Sequence, residues 1–151
     1  MTTNNERNTA TFLHLSALTQ YFIPFGNYIF PVIIWSAKKN ESAFVDANGK
    51  NVLNFQLSMF LYFMITAAVA VPVFVYSIFK NTTITNIHDG SHFVFESLDY
   101  GNIPGFVILA IVMVVIFLFL KIIEFVLIIY GSVKTSNGEV YKYPLTINFI
   151  K

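Results

Sequence analysis

The sequence predicts an all-α integral membrane protein, a four-helix bundle of two short N-terminal helices and two long transmembrane helices. Of its 151 residues, 56% are hydrophobic and only 11% are charged, and a soluble domain of this length does not bury that much apolar surface. Two nearly unbroken apolar stretches, 55–79 and 104–130, exceed the about 20 residues that cross a bilayer as a helix. We therefore interpret residues 1–151 as a single membrane domain.

Residues 9–37 are predicted to form a broken helical hairpin. A first helix begins near Thr9 and is broken by the Pro-Phe-Gly-Asn motif at 24–27. A second begins near Tyr28 and carries Pro31 in its first turn, where proline is tolerated. Each piece is too short to cross alone, so the segment is either one kinked span or a re-entrant hairpin that dips in from one face. The residues before Thr9 are predicted to be loose.

The two long helices are assigned to 43–80 and 104–131. Ser42 precedes the first helix and can cap it, because a serine hydroxyl accepts a hydrogen bond from a free amide of the first turn. Pro72 should kink the same helix, since proline has no amide hydrogen to donate. Both helices are long enough to span the membrane.

The remaining segments carry turn and strand signals. Residues 81–103 are assigned to an extracytoplasmic loop, with β-like runs on either side of Asp89-Gly90. Residues 132–151 are assigned to a cytoplasmic tail, in which Asn137-Gly138 signals a turn. Apolar and polar residues alternate over 145–149, which predicts a short half-buried strand.

The distribution of lysines predicts the orientation in a bacterial inner membrane. Positively charged residues of short loops stay on the cytoplasmic side. The first loop and the tail are rich in lysine, whereas Lys80 is the only one at the middle loop. The lysines concerned are Lys38, Lys39, Lys50, Lys134, Lys142 and Lys151. The first loop and the C-terminus should therefore be cytoplasmic.

Composition also argues against several function classes. The chain has no cysteine, which excludes thiolate metal sites and a cysteine nucleophile. A net charge of +1 without a basic stripe gives no reason to expect nucleic acid as a partner. No nucleophile elbow, phosphate-binding glycine loop or helical zinc pair is present, so we expect neither an enzyme nor a cofactor. We interpret His88, Asp89, His92 and Glu96 as part of a solvated loop rather than a metal site.

Polar residues at the entrance of the first long helix are the main site candidates. Asp46, Lys50 and Asn54 follow each other at spacings of four, which places them along one stripe of a helix. Gln56 lies beside them, where the span begins. An unpaired amide there is costly, so these residues form either a structural clasp or a surface that binds a partner.

The remaining candidates lie in the N-terminal hairpin and the last helix. His14 is either a catalytic or proton-relay group, or a neutral histidine hydrogen-bonded to Asn54 or Gln56. Trp35 is typical of the membrane interface, and Asn27 belongs to the motif that breaks the hairpin. Lys121 and Glu124 are spaced to pair and are interpreted as anchors at the interface.

A resemblance to a known family rests on a series of short motifs in a fixed order. They are His14-Leu15-Ser16, Pro24-Phe25-Gly26-Asn27, Pro31 with Trp35 and Lys38-Lys39, Phe44-Val45-Asp46 with Gly49-Lys50 and Leu53-Asn54-Phe55-Gln56, and Asn137-Gly138-Glu139 with Tyr143-Pro144-Leu145. The chain resembles small bacterial membrane proteins grouped as a domain of unknown function. That group is distantly similar to the twenty-kilodalton subunit of the chloroplast inner-envelope protein-import translocon. The resemblance covers nearly the whole chain and implies a four-helix membrane domain, which favours the hairpin over the kinked span.

The expected function is that of a non-enzymatic inner-membrane protein. Its expected contacts are the lipid bilayer and protein partners in a membrane complex, with protein translocation or membrane assembly as the favoured role. A small transporter or channel component is the alternative, with the broken first segment lining a path. A membrane enzyme acting on lipid or peptide would require a site built from His14, Asp46 and Lys50.

Overall fold

The computed structural model describes residues 2–81 and 105–151, and most of this part of the chain is helical. The elements are α1 (Asn4–Ser16), a 3₁₀ segment (Ala17–Tyr21), α2 (Gly26–Lys38), α3 (Ala43–Asn81) and α4 (Gly105–Ser136). The four predicted α-helices are therefore present. The β-like hairpin predicted around Asp89-Gly90 lies outside the described residues.

The chain divides into two compact units. Unit 1 comprises Met1–Tyr62 and Leu120–Lys151, and unit 2 comprises Phe63–Phe119. Unit 1 holds α1, α2, the first part of α3, the last part of α4 and the C-terminal tail. In unit 2, α3 and α4 are in contact through the rings of Phe63 and Phe117, whose centroids are 5.0 Å apart.

α1 begins five residues before the predicted start because the chain carries a capping box. The Thr3 hydroxyl accepts from the Glu6 amide at 3.2 Å, and the Glu6 carboxylate accepts from the Thr3 amide at 2.7 Å. These reciprocal bonds satisfy free amides of the first turn. The prediction of a loose N-terminus was therefore wrong, although the Thr-x-x-Glu signal is present in the sequence.

The break between α1 and α2 overlaps the predicted motif at 24–27 only in part, because α1 ends at Ser16 and α2 already begins at Gly26. The chain tightens into the 3₁₀ segment, and α2 starts after Phe25, whose φ of 60° is left-handed. Gly26 packs against Thr19, where an added Cβ would lie 2.6 Å from the Thr19 hydroxyl. Because α2 starts two residues early, Pro31 lies in its second turn rather than its first.

α3 and α4 are the candidate membrane spans. Over Ala43–Tyr76 and Val107–Ser136 their mean hydropathy reaches 2.1 and 3.0, and only 11% of each apolar window is buried. Apolar side chains such as those of Met64, Ile65 and Phe119 remain more than half exposed. Such a surface suits lipid rather than water. Ser42 caps α3 as predicted, with the Val45 amide donating to its hydroxyl at 3.4 Å.

α4 runs five residues beyond its predicted end and stops at the Asn137-Gly138 turn. The Gly138 amide donates to the Thr135 carbonyl and the Glu139 amide donates to that of Lys134. Gly138 has a φ of 87°, and this combination is a Schellman cap.

The tail beyond Gly138 is irregular, so the predicted strand at 145–149 is wrong. No strand occurs in the described ranges 2–81 and 105–151, and the tail has no neighbouring strand to pair with. It turns at Pro144, and Leu145 follows with a φ of 59°. The predicted burial of its apolar side is also wrong, because Leu145, Ile147 and Phe149 are all exposed.

Candidate functional site

The centre of unit 1 is a buried polar cluster around His14. His14 lies on α1 and is completely buried together with Asn48 of α3 and Thr135 of α4. His14 Nδ1 is 2.6 Å from the Tyr143 hydroxyl, and Nε2 is 3.1 Å from both Asn48 Oδ1 and Thr135 Oγ1. Four segments of the chain therefore meet at one imidazole ring. The predicted alternative partners, Asn54 and Gln56, do not bond to it.

The neighbours of Asn48 define the tautomer of His14. The Asn48 amide group donates to the Phe44 carbonyl at 3.0 Å, and its oxygen accepts from the Tyr141 amide at 3.2 Å. That oxygen can only accept, so His14 Nε2 carries the hydrogen and donates. Nδ1 then accepts from the Tyr143 hydroxyl. Both nitrogens are occupied in a neutral ring.

Gly131 makes room for the cluster. An added Cβ would lie 2.8 Å from the Tyr141 ring and 3.0 Å from both His14 Nδ1 and the Tyr143 hydroxyl. Tyr143 also stacks on Phe55 of α3, with ring centroids 4.1 Å apart. The glycine that looked like the end of α4 is thus a helical residue at a close approach.

Burial keeps the two titratable groups of the cluster uncharged. Desolvation lowers the pKa of His14 from 6.5 to about 4, although the Asn48 hydrogen bond opposes the shift. Desolvation also raises the pKa of the Tyr143 hydroxyl well above its usual range, with smaller contributions from Tyr141 and Glu124. At neutral pH the cluster is a set of uncharged hydrogen bonds.

Polar side chains of α3 hold the tail. They bond to its backbone amides and carbonyls, as a neighbouring strand would in a sheet. Asn54 Oδ1 accepts from the amides of Phe149 and Ile150 at 3.0 and 2.8 Å, and its amide group donates to the Ile150 carbonyl at 3.0 Å. Ser58 accepts from the Ile147 amide at 2.8 Å, and the Tyr62 hydroxyl donates to the Leu145 carbonyl at 2.8 Å.

We call these three α3 residues, together with Asn51, the tail clasp. The Asn51 amide group donates to the Tyr141 carbonyl at 2.8 Å. The spacings of three, four and four residues place all four side chains on one face of α3.

The predicted stripe of Asp46, Lys50 and Asn54 serves two separate contacts. Lys50 pairs with Asp46 at 2.7 Å, and Asp46 also accepts from the Trp35 indole at 2.8 Å. Trp35 packs on Gly49, where a Cβ would lie 2.2 Å from the ring. The Asp46–Lys50 pair is partly exposed, whereas Asn54 is buried beneath the tail.

Asn27 and Gln56 join the start of α2 to α3. Asn27 donates to Gln56 Oε1 at 2.7 Å, and the Tyr28 hydroxyl donates to the Gln56 carbonyl at 3.1 Å. Gln56 is completely buried, and its Nε2 has no hydrogen-bond partner among the described residues. A buried donor without a partner costs about 1–3 kcal/mol.

A second buried polar group joins the 3₁₀ segment to α4. Lys121 pairs with Glu124 at 2.8 Å, as their spacing predicts. Gln20 bridges the pair, donating to Glu124 at 2.9 Å and accepting from Lys121 at 3.0 Å. Glu124 is only 1% exposed. This set ties the N-terminal hairpin to α4.

Sequence reasoning missed Asn48, Thr135 and Tyr143 as members of the site. One signal for Thr135 was available: Ile128, Ser132 and Thr135 follow helical spacing, which continues the buried face of α4 past Gly131. Tyr143 lies far from His14 in the sequence, and only the path of the tail brings the two together. Among the described residues no group of three or more His, Asp or Glu side chains is placed to hold a metal ion.

Comparison with known proteins assigns the chain to a family. The model of the magnetosome magnetite crystal formation protein family matches residues 5–150. The chain belongs to this family. No curated protein and no solved structure matches it.

The family match agrees with the prediction of a small membrane protein. It points to a family of magnetite crystal formation rather than to one of protein import. This family is associated with magnetosomes and with crystal formation, and the chain has the two candidate spans expected of a membrane protein. None of the matches is to a protein-import translocon. That part of the sequence resemblance is therefore unsupported.

Proposed function

We propose that this chain takes part in magnetite crystal formation as a non-enzymatic integral membrane protein. The family match over residues 5–150 carries the proposal. Unit 1 is a compact body that the buried hydrogen bonds around His14 and the tail clasp hold together. Such a body is suited to holding protein partners at the membrane that bounds the crystal.

The chemistry of the His14 cluster supports a structural role. Both imidazole nitrogens are engaged, and Asn48 and Thr135 bond to the ring and to each other. A general base must reach the proton that it removes, and His14 is enclosed by its own partners. We infer that the cluster fixes the fold rather than turning over a substrate.

Complementation in a magnetite-forming host tests this function. The host's own copy is replaced by this chain and by two variants, His14→Gln and Tyr143→Phe, and the crystals are measured by electron microscopy. We expect crystal size and number to follow the amount of folded protein in the membrane. A His14→Gln protein present at the normal amount, with its normal melting temperature but without crystals, would point to chemistry at His14 instead.

Partner binding is tested separately by purification in mild detergent. We expect one or more proteins of the crystal-forming membrane to be enriched with the chain. A chain that is always monomeric and enriches nothing contradicts the holding role.

A second candidate function, a small transporter or channel component, is favoured by one observation. Glu124 and Gln56 are buried polar residues within the candidate spans, and ionisable groups at membrane depth are often functional. Purified protein in liposomes should then pass ferrous iron or another small ion, and Glu124→Gln should reduce the flux. Silent vesicles would exclude this candidate.

A further inference from the structure

We propose that α1, the 3₁₀ segment and α2 form a re-entrant hairpin whose tip lies among the lipid acyl chains of one leaflet. The tip consists of residues 21–25, which are the last residue of the 3₁₀ segment and the four residues before α2. The inference concerns the membrane surface of the chain and does not depend on its part in crystal formation. Four observations within unit 1 carry it.

The two ends of the hairpin meet. The Ser42 hydroxyl, just after α2, donates to the carboxylate of Glu6 near the start of α1 at 2.6 Å. A single kinked span would separate these residues by roughly the 30 Å of the hydrocarbon core. The chain therefore returns to the level at which it started.

Hydrogen bonds to α3 give the depth of the tip. Trp35 bonds to Asp46 near the base of the hairpin, and Asn27 bonds to Gln56 near its tip. At 1.5 Å per residue, these two levels are about 12 Å apart along α2 and about 15 Å apart along α3. Because tryptophan prefers the interface, the tip lies in the nearer half of the hydrocarbon core, which is about 30 Å thick.

α4 gives the same depth independently. Gln20 bonds to Glu124, and the ring of Tyr21 lies against that of Phe125, with centroids 6.1 Å apart. Lys134 forms a partly exposed ion pair with Glu139, and it lies about 15 Å along α4 from Glu124. Glu124 then lies within a candidate span rather than at the interface that the sequence suggested, and the tip lies beside it.

The surface of the tip is apolar, and part of its backbone is paired within the hairpin. Phe22 is 87% exposed and Phe25 is 68% exposed. The amides of Phe22 and Ile23 donate to the Thr19 carbonyl, and the Gly26 amide donates to that of Ile23. Lipid offers no hydrogen-bond partners, so each internal bond of this irregular backbone lowers the cost of placing it at membrane depth. The bonds to the Thr19 and Ile23 carbonyls reduce the number of unpaired polar groups that the tip brings into the lipid, and acyl chains cover the aromatic side chains.

Single-cysteine labelling tests the proposal, and the absence of native cysteine makes every introduced thiol unique. Phe22→Cys marks the tip, while Glu41→Cys and Ser136→Cys mark exposed positions at the base of the hairpin and the end of α4. Each variant is treated with a membrane-impermeant maleimide in intact cells and in inverted membrane vesicles. We expect positions 41 and 136 to react in the same preparation. Position 22 should react in neither until detergent is added.

Depth-dependent quenching completes the test. An environment-sensitive fluorophore is attached to each thiol of the purified protein, which is then placed in liposomes with spin-labelled lipids. Position 22 should be quenched at least twofold more by a mid-chain label than by a head-group label, with the reverse order at position 41. Reaction of position 22 from the side opposite to position 41 would show a span, and reaction from the same side would show a hairpin in water. Either result overturns the proposal.

Discussion

At the scale of single residues, His14 is the point where separate parts of the chain are joined. Its ring has one donor and one acceptor nitrogen, and both are used by partners from α3, α4 and the tail. A buried hydrogen bond network of this kind is expensive to leave half satisfied. The identity of the side chain at position 14 should therefore matter for stability more than its burial alone suggests.

Acidification should weaken the fold through His14. Its pKa is about 4 in the folded chain against 6.5 ordinarily, so the unfolded chain binds more protons between these values. Stability is then complete above about pH 6.5 and falls as the pH drops towards 4, by about 3 kcal/mol in total. Melting temperatures in detergent between pH 7.5 and 4.5 measure the loss.

The variant His14→Gln provides the control for this pH series. Carboxylates and the remaining histidines titrate in both proteins, so the difference between the two curves isolates His14. We expect that difference to shrink as the pH falls. Parallel curves would mean that His14 is not held neutral in the folded state.

Gly131 should not tolerate a methyl group. Gly131→Ala places a Cβ 2.8 Å from Tyr141 and 3.0 Å from His14, and overpacking of this kind costs about 1–3 kcal/mol. That loss exceeds the gain of about 1 kcal/mol in helix propensity. Gly105→Ala on the same helix meets open space and should leave the melting temperature unchanged or slightly raised. An equal response of the two variants contradicts the close packing at Gly131.

The sequence predicted which polar residues belong to the site more reliably than it predicted the groups that they bond to. The Asp46–Lys50 and Lys121–Glu124 pairs follow from helical spacing alone and are present at 2.7 and 2.8 Å. Local spacing cannot show that Asn54 bonds to the tail, since the two are separated by 95 or more positions. Sequence alone thus identified the polar residues but not the segment that they hold.

At the scale of elements, the tail is an irregular segment anchored by a helix. The tail clasp supplies acceptors for the amides of Ile147, Phe149 and Ile150, which a strand would obtain from a neighbouring strand. Helices could be predicted because their periodicity and caps are local. The path of the tail could not, because it depends on side chains of α3.

Asn54→Leu should release the end of the tail without disturbing its beginning. The substitution removes both acceptor contacts to the amides of Phe149 and Ile150. Hydrogen exchange at these amides should rise about tenfold or more, and the melting temperature should fall. Asn51→Leu, which loses only the bond to the Tyr141 carbonyl, should leave those amides slow. Unchanged stability with loss of a co-purified partner would instead make Asn54 a binding residue.

The bridge between the 3₁₀ segment and α4 should behave as a buried ion pair. Lys121→Met leaves the carboxylate of Glu124 buried without its cation and should cost about 3 kcal/mol. The double variant Lys121→Met with Glu124→Gln removes the charge and keeps an acceptor for Gln20, so it should recover most of the loss. Thermal unfolding of the three proteins measures the coupling. Failure of the double variant to recover would show that the charge itself is needed.

At the scale of the whole molecule, the distribution of charge predicts one orientation in the membrane. All lysines and arginines except Lys80 fall within 1–62 or 120–151. The first helix also approaches the turn at the end of α4, since a Cβ at Gly138 would lie 3.0 Å from Arg7 Nε. Positive residues favour the cytoplasmic side, so both termini should lie there.

Reporter fusions test this orientation. Green fluorescent protein, which does not fluoresce after export in unfolded form, should be bright when fused before Thr2 and when fused after Lys151. Alkaline phosphatase, which is active only outside the cytoplasm, should be inactive at both ends and active when inserted after Gly90 in the middle loop. An active phosphatase at the N-terminus with a bright C-terminal fusion would mean that residues 9–37 cross the membrane.

Replacing Lys38 and Lys39 with Gln should increase the fraction of inverted chains in the same fusion assay, because these charges contribute to the retention of the first loop on the cytoplasmic side.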